Sequence, residues 1–117
     1  MTTPTLCIIG GGPKAIAVAA KARILRDLGR DAPTVHIIEA VRLAHHWRGS
    51  GGWTDGRQTL GTSPLKDIGF PYLSAGSAGG NEVDEAMLRL SWPAHLSRAG
   101  ALAHWIDRGA PNPSHRE

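Results

Sequence analysis

Three small residues near the start of the chain follow the spacing G-x-G-x-x-A, at Gly10, Gly12 and Ala15. The apolar run 6–9 precedes them, and an alanine-rich segment that favours a helix follows. In such a strand–turn–helix, the first glycine permits a sharp turn and the second lets the backbone approach a pyrophosphate. The alanine lets the helix pack closely on the strand. The spacing therefore predicts a site for the pyrophosphate of a dinucleotide.

The residues that open the predicted helix support the same chemistry. Pro13 suits the first helical turn, where no N–H donor is required of it, and Lys14 follows directly. The free N–H groups and the positive dipole end of a helix attract phosphate. We therefore assign Gly10, Gly12, Pro13, Lys14 and Ala15 to a cofactor-binding turn. The alternative is a glycine-rich turn that binds no ligand.

An acidic residue, Glu39, ends the second predicted strand, which spans 35–39 and is expected to be buried and parallel to the first. A carboxylate at this place can accept both ribose hydroxyls of the adenosine half of a dinucleotide. Glu39 follows Gly10 by 29 residues, compared with the usual spacing of about 20, and the helix with its loop accounts for the difference. Because Glu39 would repel a 2′-phosphate, the site favours FAD or NAD over NADP.

Length and composition limit the class of protein. The 117 residues, 41% hydrophobic and 20% charged, suffice for one globular domain at most. No apolar run approaches the roughly 20 residues that cross a bilayer, and no signal peptide is visible. The net charge of +3 is too dispersed to indicate nucleic-acid binding.

The single cysteine, Cys7, excludes an internal disulfide and agrees with a reducing cytoplasm. Its position in the first predicted strand suggests a packed core thiol. We therefore expect a cytoplasmic protein with neither a membrane nor a nucleic acid as partner. The sequence leaves the oligomeric state open, including a homo-oligomer.

The elements that must position these residues form a short α/β series. A helix over about 13–28 should end at Gly29, and the second strand follows it. Two amphipathic helices are predicted further along, over about 82–90 and 93–108. The fold class is therefore α/β, with the first part of a Rossmann-like domain built on a parallel sheet and two C-terminal helices.

Several residues between these parts could carry chemistry. Trp47 and Trp53 lie in a glycine-rich stretch, where either could pack on a flat aromatic cofactor; the alternative is that both anchor the stretch to the domain core. By spacing alone, Lys66 and the aspartate after it form a solvated pair. His45 and His46 lack a spaced partner of the right type, so no metal site is predicted.

Three segments together resemble a known enzyme family: 10–15, 51–56 (G-G-W-T-D-G) and 60–72 (L-G-T-S-P-L-K-D-I-G-F-P-Y). They are similar to the N-terminal part of the actinobacterial lysine N-hydroxylases of mycobactin and nocobactin siderophore synthesis, which are flavin-dependent N-hydroxylating monooxygenases. The similarity covers essentially all 117 residues. It implies that 1–117 are the N-terminal part of an FAD-binding domain, that the NADPH domain is absent from this chain, and that the chain alone is inactive.

The resemblance also implies an activity. This is an NADPH- and oxygen-dependent L-lysine N6-monooxygenase, in which bound FAD supports hydroxylation of the side-chain amine. The matching positions make Lys66 a contact for the carboxylate of the substrate L-lysine and place Trp47 near a flavin-flanking tryptophan, with Trp53 as its competitor. No catalytic residue of this chain is identified. Gly61 stands where ornithine hydroxylases have a glutamine, which argues against an ornithine-type pocket. The alternative function is a non-catalytic nucleotide-binding or protein-interaction fragment.

Overall fold

The computed structural model describes residues 2–47, Arg57 and residues 80–102. The elements, in chain order, are β1 (Thr5–Ile9), α1 (Pro13–Asp27), β2 (Thr34–Ile38), a 3₁₀ helix (His45–Trp47), α2 (Gly80–Leu88) and α3 (Trp92–Arg98). One compact unit contains β1, α1, β2 and α2, and a second contains the 3₁₀ helix and α3. None of the helices in these described ranges is long and apolar enough to cross a membrane.

The two strands form a parallel sheet in which Ile9 lies opposite Ile38. Because the strands end level, the residues that follow them, Gly10 and Glu39, lie at the same edge of the sheet. The pairing continues one step further, since the N–H of Gly10 donates to the carbonyl of Ile38 at 2.8 Å. A parallel strand pair joined by a helix confirms the predicted α/β, Rossmann-like start.

Helix α1 has the start and the end that the sequence predicts. Pro13 occupies its first position, and Leu28 is its C-cap. Gly29 follows with a φ of +71°, in the left-handed region that closes a Schellman motif. The N–H of Gly29 donates to the carbonyl of Arg26 at 2.9 Å, and the N–H of Arg30 donates to that of Leu25 at 2.8 Å. These bonds satisfy carbonyls that the helix end would otherwise leave unpaired.

The core of the first unit is built on α1, which packs against β2 and α2. Small side chains on α1 permit this close approach, and larger ones on α2 complete the contact. Among its described residues, the buried apolar ones are Ala15, Ala22, Ala32, Val83 and Met87.

The strands are less buried than the sequence suggests. Ile9 is 80% exposed and Ile38 is 57% exposed, and Cys7 is exposed. The prediction of a core thiol at Cys7 is therefore wrong, as is that of a fully buried second strand. The reason is that α1 packs on the sheet mainly through β2, so that within the described residues much of the two-stranded sheet remains uncovered.

The two predicted C-terminal helices are present as α2 and α3. The hydroxyl of Ser91 caps the N-terminus of α3. This helix ends after seven residues, because Gly100 has a φ of +69° and the N–H of Ala101 donates to the carbonyl of Leu96 at 2.8 Å. The prediction of one continuous helix over 93–108 is therefore wrong.

Candidate cofactor-binding site

The first glycine of the turn, Gly10, has a backbone conformation that side chains disfavour. Its φ is +96°, and a Cβ added to it would meet no atom of the described chain within 4 Å. The requirement for glycine here is therefore conformational, and it comes from the sharp exit of the chain from β1. This geometry agrees with the function that the spacing predicts for Gly10.

Gly12 differs from Gly10, because its backbone has no need of a glycine. It is the N-cap of α1 with φ −79° and ψ −176°, which any residue can adopt. A Cβ at this position would again meet nothing within 4 Å among the described residues. Open space beside an unstrained glycine is what a closely approaching pyrophosphate requires, so the residues present fit a dinucleotide.

The first turn of α1 is electrostatically suited to phosphate. Pro13 and Lys14 are exposed, whereas Ala15 is only 4% exposed and packs beneath the turn. The turn contains no acidic residue, and no side chain caps the N-terminus of the helix. No capping side chain therefore occupies the backbone N–H groups and the positive dipole end, which suit an anionic ligand.

The carboxylate of Glu39 lies against the glycine turn. Its Oε2 accepts a hydrogen bond from the N–H of Gly11 at 2.6 Å, and its Oε1 accepts one from the N–H of Val41 at 3.1 Å. Glu39 is half-buried. The structure thus brings the predicted ribose acceptor to the same edge as the predicted pyrophosphate turn.

Sequence reasoning missed Gly11, because the pattern G-x-G-x-x-A accepts any residue at this position. It is buried, and a Cβ on it would approach Leu43 Cδ2 to 2.7 Å and Glu39 Oε2 to 3.1 Å. Its carbonyl accepts a hydrogen bond from the N–H of Ala44 at 2.9 Å. The available signal was an unbroken run of three glycines, which did not reveal that the middle one is the packed one.

The remaining predicted site residues belong to the second unit or lie outside the described residues. Trp47 ends the 3₁₀ helix, belongs to the second unit and is 38% exposed. Trp53, Gly61 and Lys66 lie outside the described residues. Their assigned functions, and that of Trp47, stay predictions.

Comparisons with known proteins agree with the resemblance seen in the three sequence segments. No protein-family model matches the chain. It is 54% identical over 114 residues, 97% of its length, to L-lysine N6-monooxygenase MbtG from Mycobacterium tuberculosis H37Rv. It is also 54% identical over 113 residues to MbtG from Mycolicibacterium paratuberculosis. The chain spans 26% of the length of these curated relatives.

A solved structure gives the same result. Lysine monooxygenase NbtG from Nocardia farcinica, whose structure has an unprecedented NADPH domain conformation, is similar with a TM-score of 0.81 and 54% identity. The match covers 96% of this chain and 30% of that one. Over nearly its whole length, the chain is therefore homologous to one part of these lysine monooxygenases, and the resemblance is confirmed.

Proposed function

We propose that this chain is the FAD-binding portion of an NADPH- and oxygen-dependent L-lysine N6-monooxygenase. The observation that carries the proposal is the turn itself, in which Gly10 with its φ of +96°, Gly12 with no described atom beside it and the carboxylate of Glu39 share one sheet edge. The identity of 54% to lysine monooxygenases over 97% of the chain supports the reaction. Since the chain spans 26% of those relatives, we assign the reaction to a full-length protein that contains it.

The described residues divide the binding of the dinucleotide between them. The N–H groups at the start of α1 would hold the pyrophosphate, for which Gly12 leaves room. Glu39 would accept the ribose hydroxyls and, as an anion, reject a ribose that carries a 2′-phosphate. This turn is therefore the FAD site, and NADPH binds elsewhere in the full-length protein.

The reaction places a further demand on the substrate site. When bound, the flavin supplies the redox chemistry that brings an oxygen atom from O₂ to the amine. The amine of free lysine has a pKa of about 10.4 and is charged at neutral pH, so the site must favour its neutral form. Lys66 would hold the carboxylate of the substrate by a charge-assisted hydrogen bond and so fix which end of it faces the flavin. Trp47, or alternatively Trp53, would pack beside the flavin and exclude water.

We place the activity in the cytoplasm, in agreement with the single cysteine. The experiment is to purify the full-length protein, record its flavin absorbance and follow NADPH oxidation and hydroxylated lysine with and without L-lysine. Bound FAD and lysine-dependent product are expected. Bound FAD without any product would indicate a non-catalytic nucleotide-binding protein instead. A protein that takes up no flavin would contradict the proposal at its first step.

A further inference from the structure

We propose that Gly11 is a positioning residue for the FAD site, because it locks the segment 39–44 onto the dinucleotide turn. This inference rests on the proposed function, since it concerns how the turn is held for the cofactor. Gly11 differs from its neighbours in exposure: Gly10 is exposed and Gly12 is half-buried, whereas Gly11 is buried. Gly11 therefore makes its contacts within the protein, and its effect on the cofactor is indirect.

Every group of Gly11 contacts the segment 39–44. The N–H donates to Glu39 Oε2 at 2.6 Å. The carbonyl accepts from the N–H of Ala44 at 2.9 Å. The Cα faces the side chain of Leu43, which lies between those two hydrogen-bonding residues in the chain. One residue thus contacts both ends of a six-residue segment and the side chain of Leu43 near its second end.

Packing, and not backbone conformation, limits which side chain fits at Gly11. Its φ lies outside the left-handed region, so that its backbone would accept any residue. A Cβ would stand 2.7 Å from Leu43 Cδ2 and 3.2 Å from Glu39 Cγ, and the first of these distances is shorter than van der Waals contact allows. Alanine at this position would therefore displace Leu43, and it would press on Glu39 as well.

Such a displacement would reach the cofactor through Glu39. The carboxylate of this residue is held at both oxygens, by Gly11 on one side and by the N–H of Val41 on the other. Its orientation is therefore fixed before a ribose hydroxyl arrives, which reduces the ordering required on binding. Through Gly11, the predicted ribose acceptor and the predicted pyrophosphate turn form one connected unit.

The test compares four variants in the full-length protein: Gly11→Ala, Leu43→Ala, the double variant, and Leu88→Ala as a matched control. Leu88 is an exposed leucine on α2, 39% accessible compared with 50% for Leu43, and it takes no part in the site. The measurements are the dissociation constant for FAD, by titration of apoprotein, and the thermal unfolding of the apoprotein. We expect Gly11→Ala to weaken FAD binding by about tenfold or more, and Leu88→Ala to change it little.

The double variant separates a specific contact from general damage. Leu43→Ala removes the atom nearest to the added Cβ but leaves Glu39 Cγ at 3.2 Å from it, so the double variant should recover part of the FAD affinity that Gly11→Ala loses. If Gly11→Ala does not fold, the double variant must fold and bind FAD. Absence of recovery, or a Gly11→Ala variant with the wild-type dissociation constant, would overturn the positioning role. A wild-type apoprotein that takes up no FAD would instead overturn the proposed function, and the inference would fall with it.

Discussion

The N–H of Gly11 donates to the carboxylate of Glu39 at 2.6 Å, across 28 positions of the sequence. This hydrogen bond joins the residue that follows the β1 exit to the residue that follows β2. Glu39 therefore stabilises the folded chain, in addition to making the ribose contact proposed for it. Effects of a substitution at Glu39 must therefore be measured on the apoprotein as well as on cofactor binding.

Glu39→Ala should lower both the affinity for FAD and the stability of the apoprotein. Loss of a charge-assisted hydrogen bond to the ribose should weaken FAD binding by about 1.5–3 kcal/mol, and the N–H of buried Gly11, left without its acceptor, should cost the apoprotein about 1–3 kcal/mol. Titration with FAD and urea unfolding of the apoprotein measure the two effects. Glu82→Ala is the control, because Glu82 is 64% exposed and 3.6 Å from Arg30, and such a surface pair contributes about 1 kcal/mol at most. An unaltered FAD dissociation constant would mean that the ribose is held elsewhere.

Gly12→Val should strip the cofactor and leave the apoprotein nearly as stable as the wild type. The reason is that the backbone of Gly12 is unstrained and a Cβ there meets no described atom within 4 Å, so that the new side chain is expected to clash with a bound pyrophosphate. Gly10→Ala is the contrasting variant, since φ of +96° should cost the apoprotein about 1–3 kcal/mol. Flavin absorbance after purification and thermal unfolding distinguish the two. Full flavin occupancy in Gly12→Val would show that this turn does not hold the cofactor.

Two substitutions at left-handed positions should act with opposite signs. Gly29→Ala places a Cβ on a residue with φ +71° and should destabilise the protein by about 1–2 kcal/mol. Ala44 has a φ of +56°, so Ala44→Gly relieves a similar strain; less the entropic cost of glycine, it should stabilise by about 0.5–1 kcal/mol. Urea unfolding of the apoprotein measures both. Destabilisation by both variants would mean that the Ala44 side chain contributes more than its backbone strain costs.

Lys66→Ala should raise the KM for lysine about 10- to 150-fold, which corresponds to the loss of a charge-assisted contact with the substrate carboxylate. The value of kcat should change less, because the contact is made in the ground state and is kept during the reaction. FAD content should stay normal, and NADPH oxidation should continue while hydroxylated lysine falls. Lys21→Ala, on the exposed surface of α1, is the control. An unchanged KM for lysine in steady-state kinetics would mean that Lys66 is a solvated surface residue and does not bind the substrate.

The parts of the fold that the sequence predicts are those determined within a few residues. Gly10 turns the chain because glycine alone tolerates its φ, and Gly29 ends α1 for a similar reason. The strand–turn–helix around them follows from the apolar run and from a proline at the first helical position. Because adjacent residues determine these features, the sequence predicts the boundaries of the elements to within a residue or two.

The parts that the sequence does not predict depend on long-range packing or on a break inside a regular pattern. The contact of Gly11 with Glu39 links residues that only the parallel register brings together. The exposure of Cys7 depends on which elements cover the sheet. The apolar pattern of a strand does not predict those elements. The apolar spacing over 93–108 continues through Gly100, so helical periodicity concealed the end of α3. Trp53 and Lys66 lie outside the residues that the structure describes, and the functions assigned to them stay predictions.

The exposed ends of the two strands have a practical consequence for handling the 117-residue chain. Among the described residues, Ile9, 80% exposed, and Ile38, 57% exposed, present adjacent apolar side chains at one end of the sheet. Prepared by itself, the chain should therefore self-associate as its concentration rises. These isoleucines directly precede Gly10 and Glu39, so self-association through them would obstruct the cofactor turn. An FAD titration of the isolated chain would then report ligand binding and self-association together.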